Sequence, residues 1–128
     1  MTRDMDVIRT LLLRLEGRYK GIGTLIFSHG DEELAIEGVD PLAVTYNLDL
    51  LVEAGFIKGR VTGMGDFMME GMTWSGHDFL DSVRDDEIWR RTKEGVNLAG
   101  GFTFDLMKAL AKGFVRKKVE GLTGIDLL

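Results

Sequence analysis

Between Thr2 and Glu16, apolar residues recur at Met5, Ile8, Leu12 and Leu15, and this spacing of three to four predicts an amphipathic helix. Thr2 is its expected cap and Gly17 its stop. The outer side mixes Arg3, Asp4, Asp6, Arg9 and Arg14, the composition of a solvated face. A second helical pattern runs from Asp40 toward Ile57, with Val44, Leu48 and Leu51 at i, i+4 and i+7. Both of its ends are marked. Asp40 can cap the first amides, Pro41 suits the first helical position, and Gly55 can adopt the left-handed conformation that ends a helix.

Between these helices the pattern is short and β-prone. Thr24 to Phe27 and Glu33 to Ile36 read as two extended pieces around a turn at Ser28 to Glu32, which predicts a hairpin. The rival reading makes Asp31 to Glu37 a short helix, because Glu33-Leu34-Ala35 followed by Gly38-Val39-Asp40 has helix-turn-helix spacing. Beyond Gly55, Phe56 to Thr62 and Phe67 to Thr73 are strand-like runs around Gly63-Met64-Gly65-Asp66, a second predicted hairpin.

Trp74 to Asp81 opens another helix. Here Ser75 is the expected cap, Asp78 its capping-box partner, and Trp74 and Phe79 a hydrophobic staple, with Phe79, Leu80 and Val83 facing inward. Asp85-Asp86 caps a helix containing Ile88 and Trp89, whose basic end of Arg90, Arg91 and Lys93 complements its dipole. Val96 to Gly101 reads as a linker. Phe102 to Val119 is the last helix, with Leu106, Met107, Leu110 and Phe114 on its apolar side, Asp105 near its start and Arg116, Lys117 and Lys118 near its end.

The order of helix, glycine stop and hairpin predicts an α+β, winged helix-turn-helix-like domain over residues 1–95. The second hairpin is the wing. Residues 96–128 form a C-terminal helical extension and tail that packs on the domain or makes a homodimer interface. At 128 residues the chain buries roughly two-thirds of its unfolded surface, enough for a core without staples. It has no cysteine, which excludes disulfides, thiolate metal sites and thiol nucleophiles. Neither a membrane span nor a signal peptide is readable, and a cytoplasmic location is expected. Sixteen Lys and Arg against twenty-one Asp and Glu give a formal charge of −5, which repels a polyanion at long range. Any nucleic-acid site must then be a local basic patch.

Three blocks carry a resemblance. They are Arg3-Asp4-Met5-Asp6-Val7-Ile8-Arg9; Tyr46-Asn47-Leu48-Asp49-Leu50-Leu51 with Glu53-Ala54-Gly55-Phe56-Ile57; and Thr73-Trp74-Ser75-Gly76-His77-Asp78-Phe79-Leu80-Asp81 with Arg84-Asp85-Asp86 and Trp89. Together they are similar to a family of small bacterial and prophage proteins, Domain of Unknown Function 2513. That resemblance implies a winged-helix-like fold and brings no established reaction, cofactor or catalytic residue. Where the family pattern has a histidine before Leu48, this chain has Asn47.

As a DNA-reading element, the helix from Asp40 has an unusual outer face. At about 100° per residue, Leu42, Thr45, Tyr46, Asp49 and Glu53 lie opposite the core stripe. They include two carboxylates and no cation, whereas base edges are read by Arg, Lys, Asn or Gln. Leu42, Tyr46, Asp49 and Glu53 are therefore candidates for binding another protein. For nucleic acid the candidates are Lys58 and Arg60 in the wing, Arg14, Arg18 and Lys20 after the first helix, Thr45 and Tyr46, and Arg116 to Lys118.

Catalytic signals are sparse. His77 and Asp81 at i, i+4 supply only two possible metal ligands, and His29 lies in an unrelated loop. Gly21-Ile22-Gly23 and Gly63-Met64-Gly65 lack the Lys-Ser/Thr of a phosphate loop. Trp74, Phe79 and Trp89 read as core aromatics. The expectation is a non-enzymatic protein without a cofactor, either a transcriptional regulator that binds DNA or an adaptor that binds a protein.

Overall fold

The computed structural model describes residues 1–98 and 103–127. Among them are α1 (Met5–Arg18), β1 (Leu25–Phe27), a single 3-10 turn (Glu32–Leu34), α2 (Pro41–Glu53), β2 (Ile57–Val61), β3 (Phe67–Met72), α3 (Trp74–Val83), α4 (Asp86–Leu98) and α5 (Phe104–Thr123). The chain divides into two compact units, Met1–Leu80 and Asp81–Leu128. No helix among the described residues is long and apolar enough to cross a membrane.

The first unit is an α+β domain with a three-stranded antiparallel sheet in the order β1-β3-β2. Helix α1 buries Val7, Ile8, Leu11, Leu12 and Leu15, a wider stripe than expected, while Met5 stays half-exposed. Its cap is Asp4 rather than Thr2, because the Asp4 carboxylate accepts from the amides of Asp6 and Val7. Gly17 does not stop it. The helix continues to Arg18 and closes at Tyr19, whose amide still reaches the Leu15 carbonyl.

The expected hairpin of 24–27 with 33–36 does not form. β1 pairs instead with β3, Ile26 opposite Met68, and the second piece is the 3-10 turn, capped by Asp31 and burying Leu34. Two carboxylates at the start of 32–34 and an Asp that can hold the next amides favour a turn over a ladder. The short-helix alternative is thus the closer one, reduced to one turn.

Helix α2 ends as its sequence predicts. Gly55 has φ +77°, its amide bonds to the Val52 carbonyl, and the Phe56 amide bonds to that of Leu51, so the last carbonyls of the helix are satisfied within its own turn. β2 starts one residue later. Its register with β3 slips between Lys58 and Gly59, leaving Glu70 without a partner on β2, and the Glu70 carbonyl accepts the Tyr19 hydroxyl at 2.6 Å.

Helix α3 is capped by Thr73, not by Ser75 with Asp78. The Thr73 hydroxyl accepts from the Gly76 amide at 3.0 Å and donates to the Gly55 carbonyl at 2.5 Å. The Thr73 amide bonds to the Phe56 carbonyl, and the Ser75 hydroxyl bonds to that of Gly55 at 3.2 Å. Phe79 then stacks on Phe56 with ring centroids 5.1 Å apart. The staple expected of Trp74 is absent, and Trp74 is 89 % exposed rather than a core aromatic.

In the second unit, the Asp85 carboxylate caps α4 at the Ile88 amide, 3.0 Å away. Arg90 and Arg91 do not lie at the end of this helix. It runs on to Leu98, so the expected linker at 96–98 is helical, while residues 99–101 lie outside the described residues. Arg90 instead bridges Glu87 at 2.6 Å and Glu94 at 2.5 Å, and Arg91 also meets Glu87. Lys93 sits over the Trp89 ring.

Helix α5 is capped by Thr103, and the expected start at Phe102 lies outside the described residues. It passes Val119 and ends at Thr123, where Gly124 takes φ +71°. Arg116 to Lys118 therefore precede the last turn, and Lys118 pairs with Asp85. Met107 and Ala111 are its fully buried residues; Leu106 is exposed and Leu110 and Phe114 are half-buried.

A Cβ on Gly76 would stand 2.2 Å from the Phe56 carbonyl oxygen. Gly76→Ala is therefore expected to destabilise the first unit by about 1–3 kcal/mol, measured as a lowered urea midpoint. Arg90, then Arg91, holds the Glu87 carboxyl down at about 2 from an ordinary 4.5. A depressed carboxyl stabilises the fold above its ordinary range, and that contribution disappears as pH falls toward about 2. Glu87→Gln should accordingly melt below the parent at neutral pH and converge with it near the lower limit. The gap, followed by helical circular dichroism, should narrow in molar salt because the pair is exposed.

Candidate functional site

The first unit carries all but a few of the residues singled out for binding. On α2 the burial of Val44, Leu48 and Leu51 turns the opposite side outward, leaving Leu42 59 % and Tyr46 37 % exposed, with Asp49 and Glu53 open to solvent below them. Neither carboxylate makes an ion pair among the described residues. Thr45 lies at the margin of this face, and its hydroxyl sits 2.9 Å from His29 Nδ1. The His29 amide donates to Asp66 at 3.1 Å, so the loop after β1 is tied both to α2 and to the β2–β3 turn. Thr45 has a structural partner already.

Helix α2 itself carries no cation. Arg14 donates to the Ala35 carbonyl, and Arg18 pairs with Glu33 at 2.9 Å, so both hold the 3-10 segment against α1. Lys20, Lys58 and Arg60 are exposed. Lys58 borders a shallow cleft of about 400 Å³ that it shares with Glu16, Tyr19, Glu70 and His77, so carboxylates flank it. Arg116 to Lys118 belong to the other unit. From residue 21 to residue 57 the chain contains no Lys or Arg, and Asp31, Glu32, Glu33, Glu37, Asp40, Asp49 and Glu53 all fall there. Every charged side chain from residue 21 to residue 57 is therefore acidic, His29 aside.

Chemistry beyond binding has little to work with. His77 Nδ1 is 3.6 Å from Glu16, and Asp81 accepts from Arg84 at 2.8 Å. Among the described residues no group of three or more His, Cys, Asp or Glu is placed to hold a metal ion. The apolar crevice between the 3-10 turn, α2 and the β2–β3 turn, lined by Phe27, Leu34, Val44 and Phe67, is about 40 Å³, room for a water and not for a ligand.

The matched sequence covers this whole framework. A family described as a hypothetical protein, DUF2513, matches residues 2–102. The chain belongs to the DUF2513 family. The DUF2513 match takes in the sheet, the α2 face and α4, and stops before α5. An uncharacterized protein of Haemophilus influenzae is 28 % identical over 119 residues, covering 90 % of this chain and 96 % of that protein. No solved structure matches the chain.

Two residues of this DUF2513 chain are placed otherwise than their sequence signals indicated. Asn47, 1 % exposed, lies on the buried stripe of α2, where its Oδ1 accepts the Asp4 amide at 3.0 Å and its Nδ2 donates to the Ala43 carbonyl at 2.8 Å. It joins the start of α1 to α2. A polar residue between Val44 and Leu48 was the available clue. Trp74 is the other, and nothing in the local pattern separates an exposed tryptophan from a stapled one. Asn47→Ala should cost about 1–3 kcal/mol, because it strands the Asp4 amide in a partly buried place. Accelerated amide exchange confined at first to residues 4–8 is the measurement that checks it.

Proposed function

We propose that this chain is a non-enzymatic winged-helix protein, cytoplasmic, that regulates by binding a basic protein surface through the outer face of α2. Support for the winged helix comes from the element order of the first unit, in which the β2–β3 hairpin follows α2 through a glycine turn and pairs with β1 in a β1-β3-β2 sheet. In this reading the 3-10 turn replaces the second helix of the helix-turn-helix, and β2–β3 is the wing.

The observation that carries the choice of partner is the unpaired Asp49 and Glu53 on the exposed side of α2. Met1–Leu80 has seven Lys and Arg against thirteen Asp and Glu, a formal −6. Phosphate contacts supply most of the affinity of a protein for duplex DNA. An α2 lacking any cation and bearing two free carboxylates forfeits those contacts and adds repulsion. The same charges attract a partner rich in Lys and Arg and steer its approach.

A second reading rests on one feature, the exposed pair Lys58 and Arg60 on β2, which point to one side of the wing and are able to meet phosphates. The two readings separate cleanly. With protein binding, joint Asp49→Lys and Glu53→Lys substitution lowers affinity for the protein captured from the host by tenfold or more, while Lys58→Glu with Arg60→Glu leaves it unchanged. Binding to duplex in dilute buffer that falls steeply with salt and is lost in the Lys58 and Arg60 variant would assign the chain to DNA instead.

A further inference from the structure

We propose that Trp74 anchors the α2 surface and that the occupant of this surface is an amphipathic helix of a partner protein, basic along one side and apolar at intervals. This deepens the reading just given and rests on it. Trp74 is the first residue of α3 and lies between Thr73 and Ser75, whose hydroxyls both donate to the Gly55 carbonyl at the end of α2. The tryptophan is therefore held at the C-terminal end of the anionic helix, on backbone that is fixed before any partner arrives. An indole 89 % exposed keeps a large apolar area in water, and burial of such a side chain on a preordered frame is how interface hot spots gain their energy.

The surface then has a definite order. On the proposed surface Leu42 and Tyr46 supply apolar area toward the start of α2, Asp49 and Glu53 follow, and Trp74 stands past the helix end on backbone joined to Gly55. No basic residue occupies the last turn of α2, so nothing on the helix offsets the charge of Glu53. This field repels nucleic acid and anionic lipid alike and favours a cationic polypeptide. From Leu42 to Glu53 the helix rises about 16 Å, or three turns. A partner helix of about a dozen residues matches that length, with Lys or Arg in its middle turn and an apolar residue at each end. A site this small belongs among the transient interfaces, and micromolar affinity is expected.

The test uses the full chain and two synthetic fourteen-residue peptides, one with leucines and lysines on opposite helical faces, the other with serine in place of each leucine. Trp89 is buried and gives a constant background, so a change in tryptophan emission reports Trp74. The leucine–lysine peptide should shift the emission to the blue and saturate, with the serine–lysine peptide at least tenfold weaker. Trp74→Ala, followed by peptide fluorescence anisotropy, should weaken binding about tenfold without changing the circular dichroism of the chain. Equal binding of the two peptides, or undiminished binding by Trp74→Ala, overturns the anchor. If Asp49→Lys with Glu53→Lys also binds undiminished, the anionic-surface reading falls with it; if that variant alone loses binding, only the anchor falls.

Discussion

The first unit depends on how one turn is held. Gly55 and Phe56 carry the chain from α2 into the sheet, and their outward carbonyls would be left to solvent by the helix and the strand alone. Thr73 and Ser75 supply the missing donors from the beginning of α3, and Gly76 is small enough to let that helix lie against the Phe56 backbone. The stacking of Phe79 on Phe56 adds apolar burial directly beneath the polar contacts. Helix end, strand start and third helix are thus one joint, and the orientation of the α2 outer face follows from it.

Much of this joint was legible from the residues. Asp40, Pro41 and Gly55 mark both ends of α2 through local backbone chemistry, which depends on little beyond their neighbours, and the structure places the ends there. The cap of α3 is not local: Ser75 and Asp78 satisfy a spacing rule, whereas Thr73 is selected by carbonyls eighteen and seventeen positions away. Strand pairing failed for a similar reason. Residues 24–27 and 33–36 are close in sequence and alike in pattern, but the partner of β1 is β3, which only the assembled sheet specifies. Arg90 and Arg91 look like a basic terminus in the sequence, but their carboxylate partners Glu87 and Glu94 belong to the same helix and make them the middle of a longer α4.

The candidate surface divides the same way. Exposure of Leu42, Tyr46, Asp49 and Glu53 follows from helical periodicity once the core stripe is known. Occupation of Arg14 and Arg18 by the 3-10 segment does not, since it involves partners twenty-one and fifteen residues off. Counting cations in the sequence therefore overstated what the first unit has free to offer an anion. Asn47 shows the converse: it occupies a place that the pattern reserves for an apolar side chain, and its two hydrogen bonds make it a strut between helices.

The rims of the small sheet restrict the manner of recognition. β1 is three residues long, and β2 carries Lys58 and Arg60 along its length. A stub on one border and like charges on the other are poor templates for an incoming strand. Ile26 can consequently stand in water without inviting copies of the chain to stack into ribbons. Whatever this molecule engages, it must be grasped by side chains, since little backbone is on offer for zippering.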